Sequence, residues 1–223
     1  PNEFFEQALV RATQILVKQQ MQEKAVPLWT QLEAAAVFPE NKRYAMFNLM
    51  RTYYESQEFE NAQSEAEAVL ELKNIEVKVK WDAYEILAQT SIALGDSLKA
   101  QSAFEVLEKA PIDQLAAEAY YFRAHQNHKN KDFEKSNEVI ALLSQKFSSQ
   151  PYWAAKSLLL MAKNFYAVKD AFQSTYILES LLENYKQFPE ILKEGETLLN
   201  QIKEKQSEQN ATLSQPNDNN EVQ

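Results

Sequence analysis

Apolar residues recur along this chain at the i, i+3, i+4, i+7 spacing of one helix face, and the stripes come in pairs divided by a short polar break. Tyr84, Leu87, Ala88 and Ser91 form one stripe, Gly95-Asp96 interrupts it, and Ala100, Phe104 and Leu107 begin the next. The arrangement returns as Leu158, Met161, Ala162 and Phe165, then Ser174, Leu178 and Leu181. Each pair predicts a hairpin of two amphipathic helices.

The hairpins are copies of one another. A polar turn residue, a small residue four positions later and an apolar residue four further on read Glu58, Ala62, Ala66; Asp96, Ala100, Phe104; Asp132, Ser136, Ile140; and Asp170, Ser174, Leu178. A weaker first copy reads Met21, Ala25, Trp29. The small residues lie 37, 38, 36 and 38 apart, and a near-constant period is the signature of a stacked array. A small residue has a mechanical reason at this place: it is expected where the two helices of a hairpin cross, and a larger one would force them apart. Ala62, Ala100 and Ser136 are therefore expected to be buried, as are Tyr53, Phe104 and Phe165 on the same stripes. Pro39, Pro111, Pro151 and Pro189 fall between copies, where proline ends one helix and fits the first turn of the next. The resulting map has helix pairs at 3–36, 40–72, 76–109, 112–147 and 150–185, then a capping helix at 189–206 whose polar face carries Lys193, Glu194, Glu196, Lys203 and Glu204. Residues 207–223, rich in Asn, Gln and Ser with Pro216, are expected to be a disordered tail.

Composition narrows the function. Only Gly95 and Gly195 occur, too few for the glycine-rich loops that cradle phosphates, and the absence of Cys excludes disulfides, thiolate zinc sites and a Cys nucleophile. A net charge of -9 argues against nucleic acid, which recruits basic surfaces. The longest apolar run, around Ser157 to Ala162, is about a third of the ~20 residues a membrane helix needs, so no direct membrane insertion is expected. The chain begins at Pro1 rather than Met, and is read as a mature product or a fragment from which any targeting segment is gone.

In Met46, Leu49, Met50, Tyr53, Phe59, Ala62 and Ala66, and again in Tyr84, Leu87, Ala88, Gly95, Ala100, Phe104 and Pro111, the copies resemble the tetratricopeptide (TPR) repeat family. They depart from it in lacking the consensus Trp, in placing Met50 where a small residue is usual, and in being a few residues longer. The resemblance implies an all-α fold, a right-handed α-solenoid of about five TPR-like hairpins with a C-terminal cap. Residues 112–206, with Phe147-Ser148-Ser149-Gln150-Pro151-Tyr152-Trp153 and Leu182-Glu183-Asn184-Tyr185, further resemble the C-terminal end of long TPR proteins of Bacteroidetes. That implies a segment of a larger scaffold in the bacterial cell envelope, in the periplasm, with the cytoplasm as the alternative.

The family's concave surface, carried onto this chain, comprises Tyr44, Phe47, Arg51 and Tyr54; Asp82, Glu85 and Gln89; Glu118, Tyr121, His125 and His128; and Lys156, Leu159, Lys163 and Tyr166. Tyr and Arg are favoured anchors of protein partners. The competing reading is that these helices are amphipathic on both sides and simply pack on the next copy. One TPR subclass clamps a terminal carboxylate with Lys and Asn at set positions. The corresponding pairs here, among them Tyr121/His125 and Leu159/Lys163, lack that pattern, which disfavours chaperone tails.

Other chemistry finds little support. His125 and His128 are three apart on a helix, a spacing that suits one metal, but no third ligand is evident beyond Glu118; they are read as polar residues of a solvated face, with no metal or cofactor. Glu65 and Glu67 are read as surface charge rather than paired catalytic carboxylates. No Gly-framed Ser and no triad order is visible. Asn210-Ala211-Thr212 matches a glycosylation acceptor, a tripeptide common by chance. The expectation is a non-catalytic scaffold binding a peptide or partner protein, or an architectural segment of a longer solenoid. Phe4, Phe5, Leu9, Ile15, Leu16 and Val17 place apolar residues on more than one face of the first helix, so self-association through the N-terminal helix pair is expected as well.

Overall fold

A computed structural model of the chain describes the backbone of residues 3–213 and the side chains of residues 4–208. Among the described residues it is all-helical, with α1 (Glu3–Lys18), α2 (Gln22–Ala35), α3 (Pro39–Glu55), α4 (Phe59–Glu71), α5 (Val77–Ala93), α6 (Ser97–Leu107), α7 (Asp113–Lys129), α8 (Phe133–Lys146), α9 (Pro151–Ala167), α10 (Ala171–Asn184) and α11 (Pro189–Leu213). The odd-even pairs through α10 occupy the spans set by the period. Pro39 and Pro151 open their helices, where the missing N–H has no intrahelical partner to lose.

One turn recurs inside every hairpin. Gln20, Gln57, Gly95, Lys131 and Lys169 adopt left-handed backbone, with φ of 58, 61, 76, 63 and 66°. In each case that residue's amide bonds three residues back and the following amide five back, as in Gly95 to Ile92 (3.1 Å) and Asp96 to Ser91 (2.8 Å). This pairing satisfies the last carbonyls of the first helix. The residue after the turn then starts the second helix: Asp96, Asp132 and Asp170 accept from the amides of Lys99, Lys135 and Gln173 at 3.0, 3.4 and 3.0 Å.

Ala25, Ala62, Ala100, Ser136 and Ser174 are all buried, as the crossing argument requires. Phe104 is buried too, whereas Tyr53 and Phe165 are half-buried. The two serines do more than stay small: Ser136 Oγ donates to the Ala124 carbonyl at 2.8 Å and Ser174 Oγ to the Ala162 carbonyl at 2.9 Å, each twelve residues back on the facing helix.

The chain divides into two compact units, 1–111 and 112–223. In the first, each helix from α1 to α6 packs on the next, and α3 lies beside α5. Trp29, Leu32, Ala45 and Leu49 form part of its core. Glu6, fully buried, reaches from α1 to the start of α3, accepting from Val37 N at 2.7 Å and Asn41 Nδ2 at 2.8 Å. In the second unit, α7 to α11 pack in sequence, and α7 contacts α9, which contacts α11. Gly195 lets α11 approach closely, since a Cβ there would stand 3.2 Å from Leu181 Cδ2.

Two expectations are corrected. The last helix does not end at 206 but continues to Leu213, because Gln206 to Leu213 contains neither Gly nor Pro and is rich in helix-tolerant Gln, Glu and Ala. The expected disordered tail is thus helical over 207–213, and the remainder lies outside the described residues. Glu65 is not a solvated surface charge: it is half-buried, and its Oε2 has no hydrogen-bond partner. Glu67, by contrast, is exposed and pairs with Lys99 at 2.7 Å. No helix among the described residues is long and apolar enough to cross a membrane.

Candidate functional site

The candidate surface residues fall into separate places. In the first unit, Tyr44 and Phe47 line a mainly apolar groove of about 280 Å³ with Val69, Leu72 and Val79. The Tyr44 hydroxyl is already engaged with Thr13 Oγ1 at 3.2 Å. Arg51, whose guanidinium lies 5.6 Å from the Phe47 ring centre, belongs with Tyr54, Asp82 and Glu85 to a second, polar depression of about 310 Å³. Burial and neighbouring Asp82 push the Glu85 carboxyl up, against the opposing pull of Arg51. Gln89 is half-buried one turn further along α5.

The second unit brings the largest share together. Tyr121, His125 and His128 of α7, Lys156, Leu159 and Lys163 of α9, and Glu190, Ile191 and Glu194 of α11 line one groove of about 330 Å³. The groove exists because three helices sit side by side and each contributes one turn-spaced row. Its aromatic lining residues are Tyr121, His125, His128 and Tyr152, linked through ring contacts that include the half-buried Trp153 behind them. Tyr121 stacks on His125 (6.1 Å between ring centres) and His125 on His128 (6.3 Å). At the other end Tyr121 meets Trp153 at 5.5 Å, and Trp153 meets Tyr152 at 5.1 Å.

Lys156 stands among three of these rings, its ammonium 4.8 Å from Tyr121, 5.0 Å from Trp153 and 5.4 Å from Tyr152. Ring faces stabilise a cation there without neutralising it. Lys163, two turns along, is tied to Glu194 Oε1 at 2.6 Å. Burial pushes the Tyr121 phenol up to about 12, helped by Glu194 and Tyr152, so it remains a neutral hydrogen-bonding group. His125 is held below the usual imidazole range, first by burial and then by Lys129, His128, Lys163 and Lys156.

The two histidines are therefore not residues of a solvated face. Both are half-buried, and His128 Nδ1 lies 2.6 Å from Oδ1 of the fully buried Asn164. Among the described residues no group of three His, Cys, Asp or Glu could hold a metal. Tyr166 stands apart from the groove, with Lys205 of α11 5.3 Å over its ring. Glu118 is half-buried on α7.

Sequence reasoning missed Tyr152, Trp153, Asn164, Glu190 and Glu194. The first two were visible as an aromatic pair behind Pro151. Asn164 sits on a buried stripe where an apolar residue is usual, and that polar exception was the available signal.

No protein-family model matches the chain, and the curated proteins include none with significant similarity to it.

Proposed function

We propose that this chain is a TPR-like α-solenoid acting as a non-catalytic protein-interaction scaffold, and that the α7–α9–α11 groove holds an extended peptide or a segment of a partner protein. The observation that carries the reading is the groove itself: aromatic side chains, a lysine ammonium with no carboxylate partner among the described residues, and two imidazoles converge on one half-enclosed channel. Large rigid aromatics provide contact area at low entropic cost, and polar groups between them set register. The period, the recurrent turn and the small crossing residues support the solenoid part. Its placement in a bacterial envelope rests on the resemblance of residues 112–206 alone.

Selection from a random peptide library displayed on phage tests the groove. Wild type should enrich a shared sequence pattern, and the Tyr121→Ala/Lys156→Gln double variant should not. Equal enrichment on both proteins, with both folded by circular dichroism, would remove the groove from the proposal.

A second reading, an architectural segment packing on other repeats or on itself, is favoured by one observation. Phe4 and Ile15 on α1 are 80% and 56% exposed, while Leu9 on the same helix is buried. Sedimentation velocity over a concentration series tests it: self-association should appear in wild type and disappear in Phe4→Lys/Ile15→Lys. A monomer at all concentrations would count against this reading.

A further inference from the structure

Asn164 is fully buried, and its side chain is completely engaged. Burying an amide side chain is costly unless each polar atom is paired, so a buried Asn whose bonds lead to a groove residue calls for an explanation. Its Nδ2 lies 2.8 Å from Ser136 Oγ and 2.7 Å from Asn137 Oδ1, and its Oδ1 lies 2.6 Å from His128 Nδ1.

The direction of these bonds follows from the serine. Ser136 has one hydroxyl proton, and it goes to the Ala124 carbonyl at 2.8 Å. The same bond forms one copy later, Ser174 to Ala162 at 2.9 Å, so it belongs to the helix crossing and does not depend on an asparagine. Ser136 Oγ must then accept from Asn164 Nδ2. That turns Asn164 Oδ1 toward His128, and an amide oxygen can only accept. His128 Nδ1 therefore carries the proton, and in the neutral ring Nε2 is left as a lone-pair acceptor. His128 is a wall of the groove, and no protein hydrogen bond reaches Nε2 among the described residues.

We infer that Asn164 is a positioning residue that holds His128 as the groove's hydrogen-bond acceptor, so that the segment bound there presents an N–H or O–H donor to His128 Nε2. The inference rests on the peptide-groove reading for its ligand, but the state of His128 stands apart from it.

Two measurements test this. Nitrogen-15 NMR of the histidine side chains at about pH 7.5 should show His128 as the Nδ1–H tautomer in wild type and as a mixture in Asn164→Ala; a His128 protonated at Nε2 in wild type would overturn the inference without touching the groove reading. Should Asn164→Ala fail to fold, the wild-type spectrum decides alone. A peptide recovered from the phage library should then bind about tenfold or more weakly to His128→Leu, which offers no acceptor, and keep most of its affinity for His128→Gln, whose amide oxygen can replace Nε2, with both variants folded by circular dichroism. Affinity unchanged in His128→Leu would overturn the inference. If no peptide is recovered, the groove reading and the ligand part of the inference fall together, while the tautomer result still stands for or against the role of Asn164.

Discussion

The Asp96 amide donates to the Ser91 carbonyl at 2.8 Å across Gly95, closing the turn between α5 and α6. The same bond spans Gln20, Gln57, Lys131 and Lys169 in the other hairpins, as Met21 to Leu16, Glu58 to Tyr53, Asp132 to Asn127 and Asp170 to Phe165. Five hairpins thus use one turn, yet only one of them has the residue for which left-handed backbone is free of strain. Gly95→Ala should lower stability by about 1–2 kcal/mol, because φ is +76° while no atom lies within 4 Å to clash with the new methyl. Lys169→Gly should have the opposite or no effect, since relief of its backbone offsets the added freedom of the unfolded chain. Urea unfolding of the two variants checks the pair, and equal destabilisation would contradict the turn's role.

Ala100 is 2% exposed at the α5–α6 crossing. Ala100→Leu should cost about 1–3 kcal/mol through overpacking, seen as a lower denaturation midpoint. Ala100→Ser should be tolerated better, as Ser136 and Ser174 occupy the same register. A leucine variant with unchanged stability would mean that the two helices can separate without loss.

Glu65 gives the fold a pH dependence of definite sign. Burial, reinforced by Glu33 and opposed by Lys42, raises its carboxyl from 4.5 to about 7. Between those values the folded chain holds a proton that the unfolded chain has released, so this group's contribution falls as pH rises from about 4.5 through 7. Glu65→Gln should flatten that slope and raise the melting temperature above neutral pH. A pH series of thermal melts on both proteins provides the check, and parallel curves would show that Glu65 is ionised at little cost.

Glu6 behaves in the opposite sense. Hydrogen bonds from Asn41 and from the Val37 and Phe38 amides hold its carboxyl below the usual range. The stability it provides is present above the unfolded carboxylate pKa and is lost as pH falls through the folded one. Glu6→Ala should lower the melting temperature at neutral pH and remove part of the acid sensitivity. It also strips the start of α3 of its acceptors, so hydrogen exchange should rise at Val37 and Phe38. Unchanged protection there would show that solvent replaces the carboxylate without loss.

The helices, their pairing and the small residues between them were legible in the chain because amphipathic period and steric room are local properties, repeated here every 36 to 38 positions. Ala62, Ala100 and Ser136 could be named as buried from spacing alone. The left-handed turn was marked only at Gly95; Gln57 and Lys131 adopt it because the flanking helices and their carbonyls demand it, a requirement that no property of Gln or Lys announces. The end of α11 was misplaced because polar composition is shared by disordered tails and by solvated helices. At the candidate groove, the α7 and α9 positions His125, His128, Lys156 and Lys163 could be anticipated from helix register. That His128 leans on Asn164, that Lys156 stands among Tyr121, Tyr152 and Trp153, and that Glu65 loses its solvent were decided only by tertiary packing. Those contacts join residues as far as 36 positions apart, and their hydrogen bonds and desolvation depend on which helices lie side by side, which one-dimensional spacing does not encode.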